Sequence, residues 1–268
     1  MNLMRNKKFK SYSLKSLLLI AFAIIFLNLS WKTPKADGTV KAKADTVTFV
    51  KETPFSFTNF ASDIYTDAQL AESNLDLTVF EKALAGFVNL NEQHLLNADK
   101  NIITIVDFTK PSTSKRMWIV DLKNKALLLN TYVAHGQGSG ENMATNFSNV
   151  AESHQSSLGF FIASETYFGK HGLSLKLDGQ DKGINDLARN RAIVVHGASY
   201  VSEDFIKRTG RLGRSFGCPA VSEKLNAKVI ELIKGKTCFF INGKSDSYRS
   251  NLLSSNHINE NNQTVASL

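Results

Sequence analysis

The spacing of apolar positions changes period twice along this chain. Leu77, Phe80, Leu84 and the Phe87-Val88 pair recur at helical intervals, and Asn74 or Asp76 is placed to cap the helix they predict. From Asn101 the period shortens to that of strands. The run 101–108 (NIITIVDF) is apolar and β-branched, and segments 116–122 and 127–133 flank a Lys123-Asn124-Lys125 turn, which predicts a hairpin. Segments 159–163, 173–177 and 192–195 continue the strand series. Helical spacing returns over 222–234 through Leu225, Val229, Ile230 and Ile233, with Gly235 as the terminating glycine, and 237–241 closes the series as a buried strand. Many strands and one late helix point to a mainly β fold (β-rich α+β), a sandwich or partly closed barrel.

The ends of the chain differ from this middle. A basic stretch precedes the 13-residue apolar run 17–29, the pattern of an export signal; a spanning helix needs about 20 residues. Residues 1–36 are therefore expected to be a signal peptide or an N-terminal membrane anchor. Residues 37–62 are rich in Thr, Lys, Ala and Ser and are expected to be a linker, 63–98 a helical segment and 99–243 the main β-rich domain. Residues 244–268 are Ser/Asn-rich without periodicity and are expected to be a disordered tail.

Charge adds little beyond this division. The net charge is +8, but residues 1–36 hold seven Lys/Arg and no acid; without them 25 basic residues face 24 acidic ones. The basicity belongs to the N-terminus, so nucleic acid is not an expected partner. Membrane attachment is expected only through the N-terminal segment.

The chemistry concentrates in AIVVHGASYVSEDFIKRTGRLGRSFGCPAV, residues 192–221. An apolar strand ends in His196-Gly197, and Ser215-Phe216-Gly217-Cys218-Pro219 precedes the late helix. A cysteine nucleophile needs a base to reach the thiolate, and imidazole is the usual one. Amides near a helix N-terminus favour an anion, and the N–H groups of a turn containing Gly217 could line an oxyanion hole. The residues taken singly also fit plainer roles: Cys218 as a packed thiol in a tight turn, and His196 as a hydrogen-bonded strand cap. Cys238, in the last strand, reads as a small hydrophobe. A Cys218–Cys238 disulfide in a structural exported domain is the alternative use of the pair.

Arg211 and Arg214 flank the cysteine turn and suit a substrate carboxylate or a solvated basic face. His135 and His171 are expected to line the cleft or support its loops. With His154 and His196 they number four, but no pair has the short spacing of a metal site, so no metal is expected. Gly136-Gln137-Gly138-Ser139-Gly140 lacks the Lys and following helix of a phosphate loop, which removes nucleotide binding. No cofactor is expected.

Several stretches, in order, resemble the murein L,D-transpeptidase catalytic-domain family, in the branch with an HG…S-x-G-C-P-A pattern. They are IITIVDFTKPSTSKRMWIVDL, HGQGSGENMATNFSN, SSLGFFIASETYFGKHGLSLKLDG, RAIVVHGASYVSEDF and GRLGRSFGCPAV, spread over about 102–241. The resemblance implies an L,D-transpeptidase-like β-rich fold with a helix after the catalytic cysteine. It implies Cys218 as nucleophile, His196 as general base, Gly197 where a backbone carbonyl orients the imidazole, and Ser215 as the motif serine. Phe216 stands where the better-known branch has a histidine. The implied activity is acyl transfer on peptidoglycan stem peptides in the periplasm or cell envelope, forming 3→3 cross-links through a Cys thioester. An L,D-carboxypeptidase using water, or a non-catalytic cell-wall peptide-binding protein, would share these residues.

Overall fold

The computed structural model describes residues 55–268. The expected N-terminal signal or anchor and most of the expected linker lie outside them.

Ser56 caps the first helix, α1 (Phe57–Asp67), so regular structure begins inside the stretch expected to be a linker. After a short 3-10 turn (Leu70–Ser73) comes α2 (Leu77–Glu92). Of the two candidate caps, Asp76 serves: its carboxylate accepts from Thr78 N at 2.8 Å and Val79 N at 3.4 Å. Then follow β1 (Ile102–Asp107), β2 (Met117–Asp121), β3 (Ala126–Thr131), β4 (Gly159–Gly169), β5 (Gly172–Gly179) and β6 (Val194–Ala198). Next come α3 (Glu203–Thr209), β7 (Ala220–Ser222), α4 (Glu223–Ile233) and β8 (Thr237–Asn242), and α5 (Gln263–Ser267) ends the chain. The apolar pattern does not announce α3 or β7. Helix α3 buries no side chain, and β7 has three residues, too few to show a period.

The strands form one sheet in the order β3-β2-β1-β8-β4-β5-β6-β7. Its two edges approach one another. Past β3, Ala134 N donates to Ala220 O at 2.8 Å and Ala220 N to Ala134 O at 3.4 Å, so the eight strands make a nearly closed barrel flanked by helices. Closure of this kind satisfies edge groups that would otherwise be open to pairing with another chain.

Strand alternation sorts most of the core into two clusters, and a third, smaller one (Ala134, Ala198, Val201, Leu212 and Ala220) lies at the seam between the sheet's edges. Ile103, Ile105, Trp118, Val120, Phe160, Ile162, Cys238 and Phe240 pack under α1 and α2. Val106, Met117, Ile119, Phe161, Leu175, Leu177, Val195 and Phe239 pack with Val229, Ile230 and Ile233 of α4. The 63–98 segment thus covers the sheet on the side away from α4. Cys238 belongs to the first cluster and Cys218 packs against the second, which keeps the thiols apart, and both are free.

Residues 244–268 correct the expectation of a disordered tail. Leu252 and Ile258 are buried in the first cluster, and Asn89 of α2 donates from Nδ2 to Leu252 O at 2.9 Å and Ser254 O at 2.8 Å. Five apolar side chains (Leu252, Leu253, Ile258, Val265 and Leu268) and hydrogen bonds through Asn and Ser suffice when a preformed helix supplies the partner. That surface is invisible to a local reading of composition.

Gly86 marks the closest approach of α2 to the sheet. A Cβ there would overlap the ring of Phe160, which itself stacks on Phe240 with centroids 4.4 Å apart. Gly86→Ala is therefore expected to lower stability by about 1–3 kcal/mol from overpacking, outweighing a helix-propensity gain of up to about 1 kcal/mol. Urea unfolding of the two proteins measures the difference.

Candidate active site

The site begins with the parallel pairing of β6 and β7. His196 lies opposite Ala220, so Cys218, two residues earlier, falls beside Val194. Val194 N donates to the Cys218 Sγ at 3.4 Å, and the thiol reaches Ala192 O at 3.6 Å. Two residues of strand separate that point from His196, about 6.6 Å along β6. Among the described residues the imidazole is not a hydrogen-bond partner of Sγ, so the two side chains do not form a bonded dyad in this structure.

The turn carrying the cysteine is held internally. Ser215 Oγ donates to Cys218 O at 2.6 Å and accepts from Gly217 N at 3.1 Å. Gly217 has φ +123°, a conformation that side chains disfavour. Because the Gly217 N–H is taken by Ser215, it is not free for an oxyanion. The Cys218 N–H has no partner among the described residues and is available to do so. Phe216 is 69% exposed and stacks on His154, with ring centroids 4.5 Å apart. Beside the cysteine turn the chain thus presents an aromatic–imidazole pair.

His196 is buried, and its Nδ1 donates to Gly197 O at 3.0 Å. A carbonyl accepts only, so the proton is on Nδ1 and Nε2 carries the lone pair. A Cβ on Gly197 would lie 3.0 Å from Asn226 Cβ and 3.2 Å from Glu223 Cα, so glycine lets the first turn of α4 close on β6. His171, at the tip between β4 and β5, stacks on the His196 ring at 4.5 Å. Burial above all, and the charge His171 can carry, push the His196 pKa below the ordinary 6.5, against the raising effect of the Gly197 carbonyl. The imidazole is therefore neutral at pH 7. Burial pushes the Cys218 thiol above its ordinary value; the Val194 N–H and the Arg191 charge act in the opposite direction.

Arg191 carries no signal of its own in the sequence beyond preceding the strand that bears His196. Its Nη1 donates to Ser148 O and Ser157 Oγ, both at 2.6 Å, and Nη2 to Gln155 O at 2.7 Å and Ser153 Oγ at 3.3 Å. One guanidinium thereby ties the 148–157 loop to the residue beside the thiol.

Arg211 and Arg214 meet a carboxylate of the chain itself. Arg211 Nε lies 2.9 Å from Glu141 Oε2 and Arg214 Nη1 2.7 Å from Glu141 Oε1, and Arg214 also donates to Gly140 O at 2.9 Å. The pair pins the 136–141 loop against the turn that carries Cys218, where Gln137 N donates to Ser215 O at 2.8 Å.

His135 does not line a cleft. It is fully buried; its Nδ1 accepts from Arg116 Nη2 at 2.7 Å, and Nε2 reaches Gly140 O at 3.3 Å. Burial, then the Arg116 charge, lowers its pKa from 6.5 to about 4. Between these values the unfolded chain binds a proton that the folded chain refuses, so stability falls as pH falls from 6.5 to 4. The loss is at most about 3 kcal/mol. In His135→Gln, which can accept from Arg116 and donate to Gly140, urea midpoints at pH 7 and pH 4.5 are expected to differ less than in the parent.

A family model for the L,D-transpeptidase catalytic domain matches residues 71–242, reaching N-terminal of the expected 99–243 domain through α2 into the 3-10 turn before it. No curated protein matches the chain. Among solved structures it is similar to an L,D-transpeptidase from Mycobacterium smegmatis, at 10% identity over 53% of this chain and 59% of that one, TM-score 0.33. It is also similar to an L,D-transpeptidase (Yku) from Stackebrandtia nassauensis, at 14% identity over 63% and 69%, TM-score 0.34. A third is the helical cell shape determining protein Pgp2 from Campylobacter jejuni, at 12% identity over 63% and 59%, TM-score 0.36. The chain spans about three fifths of the length of the Mycobacterium smegmatis structure. The matched residues 71–242 make up more than half of this chain, which belongs to the L,D-transpeptidase catalytic-domain family.

Proposed function

We propose that the protein is an exported cysteine acyltransferase that forms 3→3 cross-links between peptidoglycan stem peptides through a thioester on Cys218. The observation that carries this reading is the arrangement along β6. The thiol lies in a glycine turn beside Val194, and two residues on stands a neutral imidazole whose Nδ1 is tied down and whose Nε2 is free. The basic and apolar N-terminal pattern agrees with it, since peptidoglycan lies outside the cytoplasmic membrane.

The steps follow from the groups present. The thiol is protonated at rest, so Nε2 of His196 takes the Sγ proton as sulfur attacks. A contact that is open without substrate closes when the donor peptide is bound. Sulfur adds to the carbonyl of the third stem residue, a diamino acid. The Cys218 N–H faces the oxyanion, and the terminal D-Ala amine leaves with the proton from His196. An acceptor amine resolves the thioester by the same steps, passing its proton to Nε2 and freeing Cys218. The Arg211–Glu141–Arg214 cluster holds the loop that borders this turn.

Incubating the protein with disaccharide-tetrapeptide tests the reading by intact-protein and product mass spectrometry. An acyl adduct with release of alanine is expected, followed by cross-linked dimers; Cys218→Ala is expected to give neither. Tripeptide monomers in place of dimers would make the enzyme an L,D-carboxypeptidase, and peptide binding without any adduct would make it a binding protein. His196→Gln is expected to lose about 10²–10⁴-fold in kcat/KM.

The pH profile carries a second expectation. Because burial and His171 both hold the His196 pKa below 6.5, the acid limb of kcat/KM should lie below that value. In His171→Ala the ring gains water and loses a like-charged neighbour, so the limb should move up in pH. An unmoved limb would separate His171 from the base.

A further inference from the structure

Arg191 is a half-buried cation without an anion. Both its Nη atoms donate to neutral oxygens, on Ser148, Ser153, Gln155 and Ser157. No carboxylate forms a salt bridge with it among the described residues, whereas Arg189, two positions earlier, is bound to both Glu165 and Asp178. The neutral oxygens around Arg191 satisfy its N–H groups, but they leave the charge itself unneutralised in a place partly withdrawn from water. The position of Arg191 supplies a reason. It directly precedes Ala192, whose carbonyl touches Sγ, and a Cβ on Gly217 would lie 3.4 Å from its Nη2.

We infer that Arg191 is a positioning residue whose charge is reserved for the Cys218 thiolate, the missing anion being the sulfur itself once its proton has passed to His196 Nε2 and the S–H electron pair has stayed on sulfur. This rests on the reading of Cys218 as nucleophile. The other groups around Sγ cannot take the role. Tyr200 beside it has its phenol pushed up to about 12 and stays neutral. His196 and the His171 stacked on it face the site from β6 and the β4–β5 tip, and burial holds the His196 ring neutral. Arg191 is the one group here charged at every working pH. In the resting enzyme its hydrogen bonds to the 148–157 loop hold the guanidinium in place. Its influence opposes the burial that raises the thiol, and the thiolate in turn favours the charged guanidinium.

The test is the pH dependence of Cys218 alkylation by iodoacetamide in the full chain, which needs no peptidoglycan substrate. Cys238 is fully buried and pushed far up, so it does not compete, and a Cys218→Ala protein sets the background. In Arg191→Gln the alkylation midpoint is expected to rise by about one pH unit, roughly tenfold less thiolate at pH 7. Arg191→Lys keeps the charge while losing the forked grip on the loop. It should retain most of the parent midpoint and lower only the melting temperature. Equal midpoints in parent and Arg191→Gln would overturn the inference, as would an Arg191→Lys midpoint that rises as far as that of Arg191→Gln, which would reduce the residue to a loop clamp. If Arg191→Gln does not fold, the parent protein decides. Its Arg191 side-chain NMR signals should shift through the Cys218 titration, and a shift that persists in Cys218→Ser, or none at all, refutes the coupling. A failure of the acyl-adduct experiment with normal alkylation behaviour would instead strike at the proposed activity.

Discussion

Everything at the site depends on the contact that draws the two ends of the sheet together. Ala134 and Ala220 exchange backbone hydrogen bonds across strand ends far apart in sequence. That contact aligns the segment after β3 with the segment before β7. Ser215 then bonds His135 and Gln137 in succession, with Ser215 N donating to His135 O at 3.0 Å. The cysteine turn is suspended between this seam and β6. A turn held on both sides loses little further freedom on binding a substrate, which is the condition for aiming a nucleophile.

Two cations underlie the same region, and neither relies on a carboxylate salt bridge. Arg116 is fully buried; it donates to Val133 O from Nε at 3.2 Å and Nη2 at 3.0 Å, to Lys110 O at 2.8 Å, and to His135. Arg191 holds the 148–157 loop in the same manner. Both use the planar fork of the guanidinium to gather backbone carbonyls that loops leave unpaired, which an ammonium could not do with one fixed geometry. Apolar packing is supplied by the two clusters on either side of the sheet and by a smaller one at the seam, where Ala134, Ala198, Val201, Leu212 and Ala220 are buried together.

The electrostatics around Cys218 and His196 have a consistent sign. Burial favours the neutral forms of both, and the stacked His171 adds to this at His196. A neutral pair separated along β6 is less reactive toward stray electrophiles than a standing ion pair, because a thiol is a far weaker nucleophile than a thiolate.

The sequence by itself determined the strand series, the helix at 222–234 and the Asp76-capped helix before the sheet, because each is written in local periodicity of apolar residues. It also singled out Cys218, His196 and Gly197 as candidates, since their types and the glycine turn can be read without reference to distant segments. Tertiary structure alone decided the rest. The Ser/Asn tail is ordered because α2 offers Asn89 and an apolar groove for Leu252 and Ile258. Of the two roles expected for His135, it takes the support of a loop, buried between Arg116 and Gly140 O. Arg211 and Arg214 found their carboxylate on Glu141, some 70 residues away in the chain. Arg191 stood out only once the thiol lay beside it. In each case the deciding partner is distant in sequence, and pairings of that kind leave no mark on the local pattern of residues.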